Sequence, residues 1–384
     1  MKIVDVCEFY SETGGGVRSY VDRKLDVAAE HGHALTVIAP GATSRVEQRR
    51  GGKIIWVEAP SLPFDKNYRM YWSASDVWRV LDAEAPDVVE GSSPWRGGWI
   101  AGHWSGRAAK AFVFHQDAVA VYPSTFLDQK LSHAKIDRLF GWYWNYLKRL
   151  SARYDATVTG GEWLAQRLAR FGIHNPVAVP FGVEAGRFSP NFRDESLRQE
   201  LLARCCVPPD AALLLTVSRF HPEKRLGTIT SAFARAKASR PIGLVIVGDG
   251  LARKHVERAA AAAGNVYLAG AIRDRDMLAK LYASADALLH GSGAETYGLV
   301  VAEAISSGLP VIVPDTGGAA DLASRAPSRL YKTGNVESCA ATILEFLAAP
   351  RDPVPVPPLR SLDEHFADLF ALYGQLARKK SSGG

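Results

Sequence analysis

Cysteine is scarce in this chain. There are four in 384 residues (Cys7, Cys205, Cys206, Cys339), two of them adjacent and none at a metal-ligand spacing. That usage excludes a disulfide framework and a thiolate zinc site, and it reads as reduced thiols. Long apolar runs are also missing: the longest are strand-sized, well short of the roughly 18 residues that would span a bilayer. The opening MKIVDVCEFY reads as a buried strand, because no long apolar stretch follows its charge as a secretion signal would require. These absences lead us to expect a cytoplasmic protein. The charge balance is mild as well. A net charge of +6 permits an anionic partner without naming one, and nucleic acid is not an expected partner.

What is present is ordinary in amount and ordered in arrangement. The chain is 47% hydrophobic and 22% charged, as in soluble globular proteins, and its length allows two or three domains. Strand-like runs recur at Lys2 to Val6, Ala34 to Ala39, Lys53 to Val57, Asp87 to Glu90, Ala111 to Phe114 and Asp155 to Thr159. Helical stretches such as Val17 to His31 and Arg69 to Ala83 lie between them. After a Pro/Gly-bounded stretch, Pro180 to Pro190, the alternation restarts at Leu213 to Val217, Gly243 to Val247, Val266 to Leu268, Ala285 to Leu289 and Pro310 to Val313. Alternation of this kind predicts an α/β fold with parallel sheets. In the tail, Pro353, Pro355, Pro357 and Pro358 form a stiff connector to a last helix, Leu362 to Ala377, and a disordered Ser-Ser-Gly-Gly end is expected.

The richest segment is His290 to Asp315, HGSGAETYGLVVAEAISSGLPVIVPD. Glu295 and Glu303 stand eight residues apart around a glycine turn and the start of an apolar helix, with a strand on either side. The helix start then falls at the carboxyl edge of a parallel sheet, where open α/β sheets bind ligands and free N–H groups favour phosphate. Two carboxylates so placed could grip two hydroxyl-bearing parts of one ligand whose phosphate rests on the amides between them.

A second cassette, Ser218-Arg219-Phe220-His221-Pro222-Glu223-Lys224-Arg225, directly follows strand Leu213 to Val217. Alone it would be a solvated basic turn. At a strand's carboxyl end it suits a diphosphate leaving group, whose growing negative charge fixed cations stabilise most.

Together the cassettes resemble those of the retaining glycosyltransferases of family 4, with its Glu-x7-Glu motif. The match runs through Gly298, Leu299, Glu303, Ala304, Gly308, Pro310, Val311, Gly317 and Gly318. The stretch at Pro180 also resembles that family's interdomain joint, although Phe181 and Glu184 stand where Asn and Asp are usual. The resemblance implies a GT-B fold: two Rossmann-like domains with parallel sheets facing across a deep cleft, and a C-terminal helix returning to the N-terminal domain. It divides the chain into an acceptor-side domain at 1–185, a donor domain at 186–358 and the returning helix at 359–380.

It also implies roles. Arg219 and Lys224 would hold the donor diphosphate, Glu303 the ribose, Glu295 the donor sugar, and the amides of Tyr297, Gly298 and Leu299 the phosphate or sugar. The backbone of Gly270 to Arg273, with Ile272 at its centre, would face the base. His115, after strand Ala111 to Phe114, matches the family histidine beside the transferred sugar, with Asp117 as orienter or acceptor-side base. Gly15 and Gly16, in the glycine loop after the first strand, would approach phosphate or acceptor. The expected activity is retaining transfer of a hexose from a UDP- or GDP-sugar to a hydroxyl of a glycan or lipid.

No metal or other cofactor is expected. Asp274-Arg275-Asp276 looks like an Asp-x-Asp metal motif, but it sits where acids cap a helix. Gly248-Asp249-Gly250 reads as a structural turn, because Arg253 replaces the third glycine of a dinucleotide fingerprint, and that also removes the dehydrogenase reading. An NDP-sugar epimerase of the same fold, or a noncatalytic nucleotide-sugar binder, are the alternatives.

The acceptor side offers one more clue. Residues 101–190 carry eleven Lys/Arg against six Asp/Glu, and inside them lies an aromatic helix candidate, Arg138 to Leu150. Leu139, Tyr143, Tyr146, Leu147 and Leu150 make one face, leaving Phe140, Trp142 and Trp144 for others. Two readings stand: a helix apolar all round and buried, or an interfacial surface contacting an anionic membrane that holds a lipid acceptor.

Overall fold

A computed structural model describes residues 1–12, 16–62, 68–127, 131–349 and 356–382. Gly14 and Gly15 of the glycine loop, and Pro353 and Pro355 of the tail, lie outside the described residues. The chain forms two compact units. The first contains Met1–His115, Leu139–Pro180 and Asp363–Gly384; the second contains Gln116–Arg138 and Phe181–Leu362.

In the first unit, strands β1 (Lys2–Val6), β2 (Ala34–Gly41), β3 (Arg45–Arg49), β4 (Gly52–Glu58), β5 (Val88–Gly91), β6 (Ala109–Phe114), β7 (Ala156–Thr159) and β8 (Pro176–Ala178) form one sheet. Their order is β3-β4-β2-β1-β5-β6-β7-β8. Every pair is parallel except β3 with β4. The central strands are β-branched and buried on both faces, as helices covering both sides of a parallel sheet require.

In the second unit, β9 (Ala212–Val217), β10 (Ile242–Val247), β11 (Val266–Gly270), β12 (Ala287–Leu289), β13 (Val311–Pro314) and β14 (Ser328–Tyr331) form a wholly parallel sheet ordered β11-β10-β9-β12-β13-β14. This is the doubly wound order of a dinucleotide-binding sheet, and its direction of winding reverses between β9 and β12.

Three strands escaped the sequence reading. β3 is polar and exposed, and β8 and β14 are short edge strands, so none carries a buried apolar run. The helix expected from Arg69 begins only at Ala74, where the Ser73 side chain accepts from the Asp76 N–H, while Arg69 bridges to Ser61. The aromatic stretch is two helices, His133–Leu139 and Gly141–Ser151, broken at Phe140. Its second helix is amphipathic, so the expectation of a helix apolar all round is corrected. Tyr143, Trp144, Leu147 and Leu150 are buried, with Trp144 stacked on Phe171 at 3.9 Å between centroids, whereas Leu139 and Trp142 are 60% and 67% exposed.

The last helix, Leu362–Ser382, runs past the expected end at Ala377 because the hydroxyls of Ser381 and Ser382 bond back to the carbonyls of Ala377 and Arg378. It packs into the first unit through Phe366, Leu369, Phe370 and Tyr373. Tyr20 and His365 are 2.9 Å apart, Arg23 reaches Asp363 at 2.6 Å, and the Tyr373 hydroxyl donates to Glu90 at 2.5 Å. Glu90 lies in a fully buried charged cluster. Lys24 donates to Glu90 and, at 3.3 Å, to Asp5, and the Ser92 hydroxyl bridges both carboxylates. Burial of each charge is tolerable because each has partners.

Candidate active site

The winding of the second sheet sets two loops side by side. β9 pairs with β12, so the turn after β9 and the loop after β12 leave the sheet together at its switch point. The turn after β9 closes as a 3-10 helix, Pro222–Lys224. Gly291 fixes its distance from the other loop: a Cβ there would stand 2.3 Å from the Lys224 carbonyl oxygen, so only glycine lets the backbones meet.

Lys224 donates to Glu295 at 2.6 Å, and Glu223 lies 3.6 Å from the same ammonium. On the other side, His290 Nε2 stands 3.3 Å from Glu295 Oε1. Burial pushes the Glu295 carboxyl up, but Lys224 and His290 outweigh it and hold the group well below the usual carboxylate range. Burial likewise opposes the Lys224 charge, and Glu295 and Glu223 outweigh it, raising the ammonium above its ordinary range. Arg219 is 79% exposed and only loosely tied to Glu223 at 3.5 Å, so its guanidinium is open to an incoming anion.

The loop then turns through Gly298, whose φ of 96° is a left-handed conformation that favours glycine, into helix Leu299–Ser306. No side chain caps this helix, and among the described residues the N–H groups of Tyr297, Gly298 and Leu299 make no hydrogen bond. Unsatisfied amides at a helix start suit an anion. Tyr297 is buried edge-on to Phe181, and burial pushes its phenol up to about 12; Leu299 is half exposed. The Gly318 N–H donates to the Glu295 carbonyl at 2.7 Å and braces the loop from the next turn.

One turn inside the helix, Glu303 is 7% exposed. Arg275 donates to one of its oxygens at 2.8 Å and the Tyr282 hydroxyl to the other at 2.9 Å. Burial pushes this carboxyl up, and Arg275 and Tyr282 only partly offset it. Arg275 also lies over the Phe188 ring, 5.1 Å from its centroid. The residues around it behave as capping acids do. Asp274 accepts from the Asp276 and Met277 amides at the start of helix Arg275–Ser284, and Asp276 pairs with Arg187 at 2.6 Å. Ile272, half-buried, packs on the core of this unit. No group of three metal-ligating side chains occurs among the described residues.

The remaining candidates stand elsewhere. Gly16 opens helix Gly16–Glu30 in the first unit. His115, at the carboxyl end of β6, meets Tyr20 edge-on at 5.5 Å, and burial pulls its imidazole down to about 4, so it is neutral near pH 7. Asp117 accepts from the Val119 and Ala120 amides at 2.9 and 3.0 Å and caps the short helix Ala118–Val121. Asp117 is 2% exposed.

Three residues of this geometry, His290, Arg275 and Tyr282, were not singled out from sequence. Only the adjacency of Arg275 to two capping acids could have drawn notice.

Comparison with known proteins identifies the family. The family described as Glycosyltransferase Family 4 matches residues 14–187, and the one described as Glycosyl transferases group 1 matches residues 203–355. A GDP-mannose-dependent alpha-(1-6)-phosphatidylinositol dimannoside mannosyltransferase of Mycobacterium tuberculosis is 30% identical over 328 residues, covering 82% of this chain and 80% of the relative. A GDP-mannose-dependent alpha-mannosyltransferase of the same species is 31% identical over 331 residues, covering 84% and 81%. Among solved structures, a sucrose-phosphate synthase from Thermosynechococcus elongatus superposes with a TM-score of 0.69 at 18% identity, covering 100% of this chain and 98% of that one, which speaks for the fold alone. The chain belongs to glycosyltransferase family 4. It is a glycosyltransferase of the GT-B class.

Proposed function

We propose that the protein transfers mannose from GDP-mannose, with retention of configuration, to a hydroxyl of a lipid-linked acceptor. The observation that carries this reading is the pair of carboxylates at the switch point, Glu295 gripped by Lys224 and Glu303 gripped by Arg275 and Tyr282, with free amides between them. The mannosyl donor and the lipid acceptor come from the two relatives, whose names specify GDP-mannose and, in one, a phosphatidylinositol dimannoside.

In this reading Arg219 and Lys224 take the diphosphate, the amides of Tyr297 to Leu299 take a phosphate or sugar oxygen, and Glu295 takes hydroxyls of the mannose. Glu303 takes the ribose, since a carboxylate offers about four acceptor positions and two protein donors leave room. The loop around Ile272 faces the base with its backbone. The acceptor oxygen bonds to the anomeric carbon on the face the diphosphate is leaving, and the departing phosphate takes the acceptor proton. Fixed cations aimed at that charge supply the largest stabilisation. In the first unit, neutral His115 and the Gly15–Gly16 loop are assigned to hydrogen bonding with sugar or acceptor.

Membrane contact is part of the proposal. No helix among the described residues is long and apolar enough to cross a bilayer. Instead, the first unit exposes Trp72 (77%), Trp142 (67%) and Leu139 (60%), with Lys148 and Arg149 exposed on the helix that carries Trp142. Such a mixture suits a headgroup region.

The test supplies radiolabelled GDP-mannose with phosphatidylinositol mannosides, and compares UDP-glucose as donor and free inositol as acceptor. Label should enter the lipid fraction only from GDP-mannose, in the α configuration by proton NMR, and with the rate unchanged by EDTA. Transfer from UDP-glucose alone, or activity abolished by EDTA and restored by Mn²⁺, would overturn the donor assignment or the metal-free chemistry respectively.

A further inference from the structure

The Glu295 carboxylate has a second buried neighbour whose use is not explained by diphosphate binding. His290 follows β12 directly and is only 3% exposed. Its main chain is fixed twice: its N–H donates to the Ile312 carbonyl at 2.9 Å, and its carbonyl accepts from the Tyr331 hydroxyl at 2.7 Å. Its ring nitrogen Nε2 stands 3.3 Å from Glu295 Oε1 without a well-formed hydrogen bond, and among the described residues it has no other partner. A buried ring nitrogen without a partner costs free energy, unless the residue serves a state in which the partner turns to meet it.

Donor binding supplies that state. Lys224 Nζ and His290 Nε2 address the same oxygen of Glu295, and Lys224 is the group in contact. A diphosphate competes for the Lys224 ammonium. Once that ammonium turns to phosphate, Glu295 loses its nearest cation while it must hold sugar hydroxyls, and the only donor left beside Oε1 among these contacts is His290.

We propose that His290 is a positioning residue: anchored on β12, it takes over the Glu295 carboxylate when the donor diphosphate draws Lys224 away, and so keeps that carboxylate oriented on the transferred sugar. This rests on the reading of Glu295 as the sugar-binding carboxylate. It assigns His290 no contact with substrate.

The experiment uses the full chain with GDP-mannose and reads two quantities. Transfer to mannolipid and the slow transfer to water, followed as GDP release, report the sugar end; calorimetric binding of GDP, which has no sugar, reports the nucleotide end. His290→Leu removes the donor nitrogen. His290→Gln keeps an N–H at similar reach.

We expect His290→Leu to lower kcat about 10- to 100-fold, the range for loss of a hydrogen bond to a buried charge. GDP affinity should stay within twofold of wild type, and His290→Gln should recover most of the rate. In the Glu295→Gln background, His290→Leu should cost little more, since two residues acting through one contact are not additive. A His290→Leu rate within twofold of wild type while Glu295→Gln collapses would overturn the His290 role and leave the sugar-site reading standing. Fully additive losses in the double variant would do the same. Loss of GDP binding together with turnover in His290→Leu would make the residue merely structural. An unimpaired Glu295→Gln enzyme would overturn both readings.

Discussion

Glu303 shows how much a single buried carboxylate depends on its neighbours. Burial raises its pKa, and Arg275 and Tyr282 hold the rise in check. Removing Arg275 removes the larger of these opposing influences, so the carboxyl should climb further. A ribose-binding carboxylate works only when ionised, so the Arg275→Ala enzyme should lose activity at a higher pH than wild type as the solution is acidified. A pH–kcat/KM profile checks this; coincident acid limbs would refute the coupling. Lys224→Ala and Glu303→Gln should each lower kcat/KM about 100-fold or more, the scale of losing one charge-stabilising contact, with the thermal midpoint little changed in Glu303→Gln. The two glutamates and the Arg/Lys pair could be read from sequence because spacing around a glycine turn is a local property. Arg275, Tyr282 and His290 could not, because what makes them partners is the approach of segments 21 to 28 residues apart, or a ring angle on a strand end.

At the scale of elements, the central strands were readable because each is a buried, mostly apolar run. The edge strands β3, β8 and β14 were not, because none carries a buried apolar run, and β3 is written almost entirely in polar residues. The helix Gly141–Ser151 lies between these cases. Its sequence is aromatic on every side, yet Phe171 and the Trp95 ring engage only Trp144 and Tyr143, leaving Trp142 outward. Trp142→Ala combined with Trp72→Ala should therefore weaken sedimentation with vesicles containing anionic lipid by about tenfold while leaving turnover of a detergent-dispersed acceptor near wild type. Binding of wild type should fall with salt, as screened attraction does. Vesicle binding that ignores both tryptophans and salt would remove the membrane from the proposal.

For the molecule as a whole, the buried cluster of Lys24, Asp5 and Glu90 ties the first sheet to the last helix. Burial opposes ionisation of Glu90, but Lys24, Tyr373 and Ser92 outweigh it and keep this carboxyl low. Burial and the neighbouring Glu90 push Asp5 up to about 7, so it is the carboxyl that stays protonated in mildly acidic solution. A folded pKa above the unfolded one means stability that is complete below the unfolded carboxyl range and lost as pH rises through about 7. The melting temperature should fall between about pH 4 and 7 and level off above, and Asp5→Asn should flatten that fall. Lys24→Met, which strands the carboxylates, should cost about 3–5 kcal/mol, the range for breaking a buried ion pair. Chemical denaturation at fixed pH measures it.

The helix Leu362–Ser382 closes the unit in which the chain begins, with Tyr373 meeting Glu90 across 283 residues. Synthesis runs from the amino end, so the first unit to appear is the last to be finished. Until Phe366, Leu369, Phe370 and Tyr373 arrive, the surface they cover stays wet and Glu90 lacks its phenol. The second unit has all its strands in hand well before that. A chain cut short before residue 363 would therefore have a sound second unit and an open first unit. Exposed apolar surface marks such chains for proteolysis and aggregation. The helix Leu362–Ser382 thus makes the soundness of the first-made unit depend on residues made after the second.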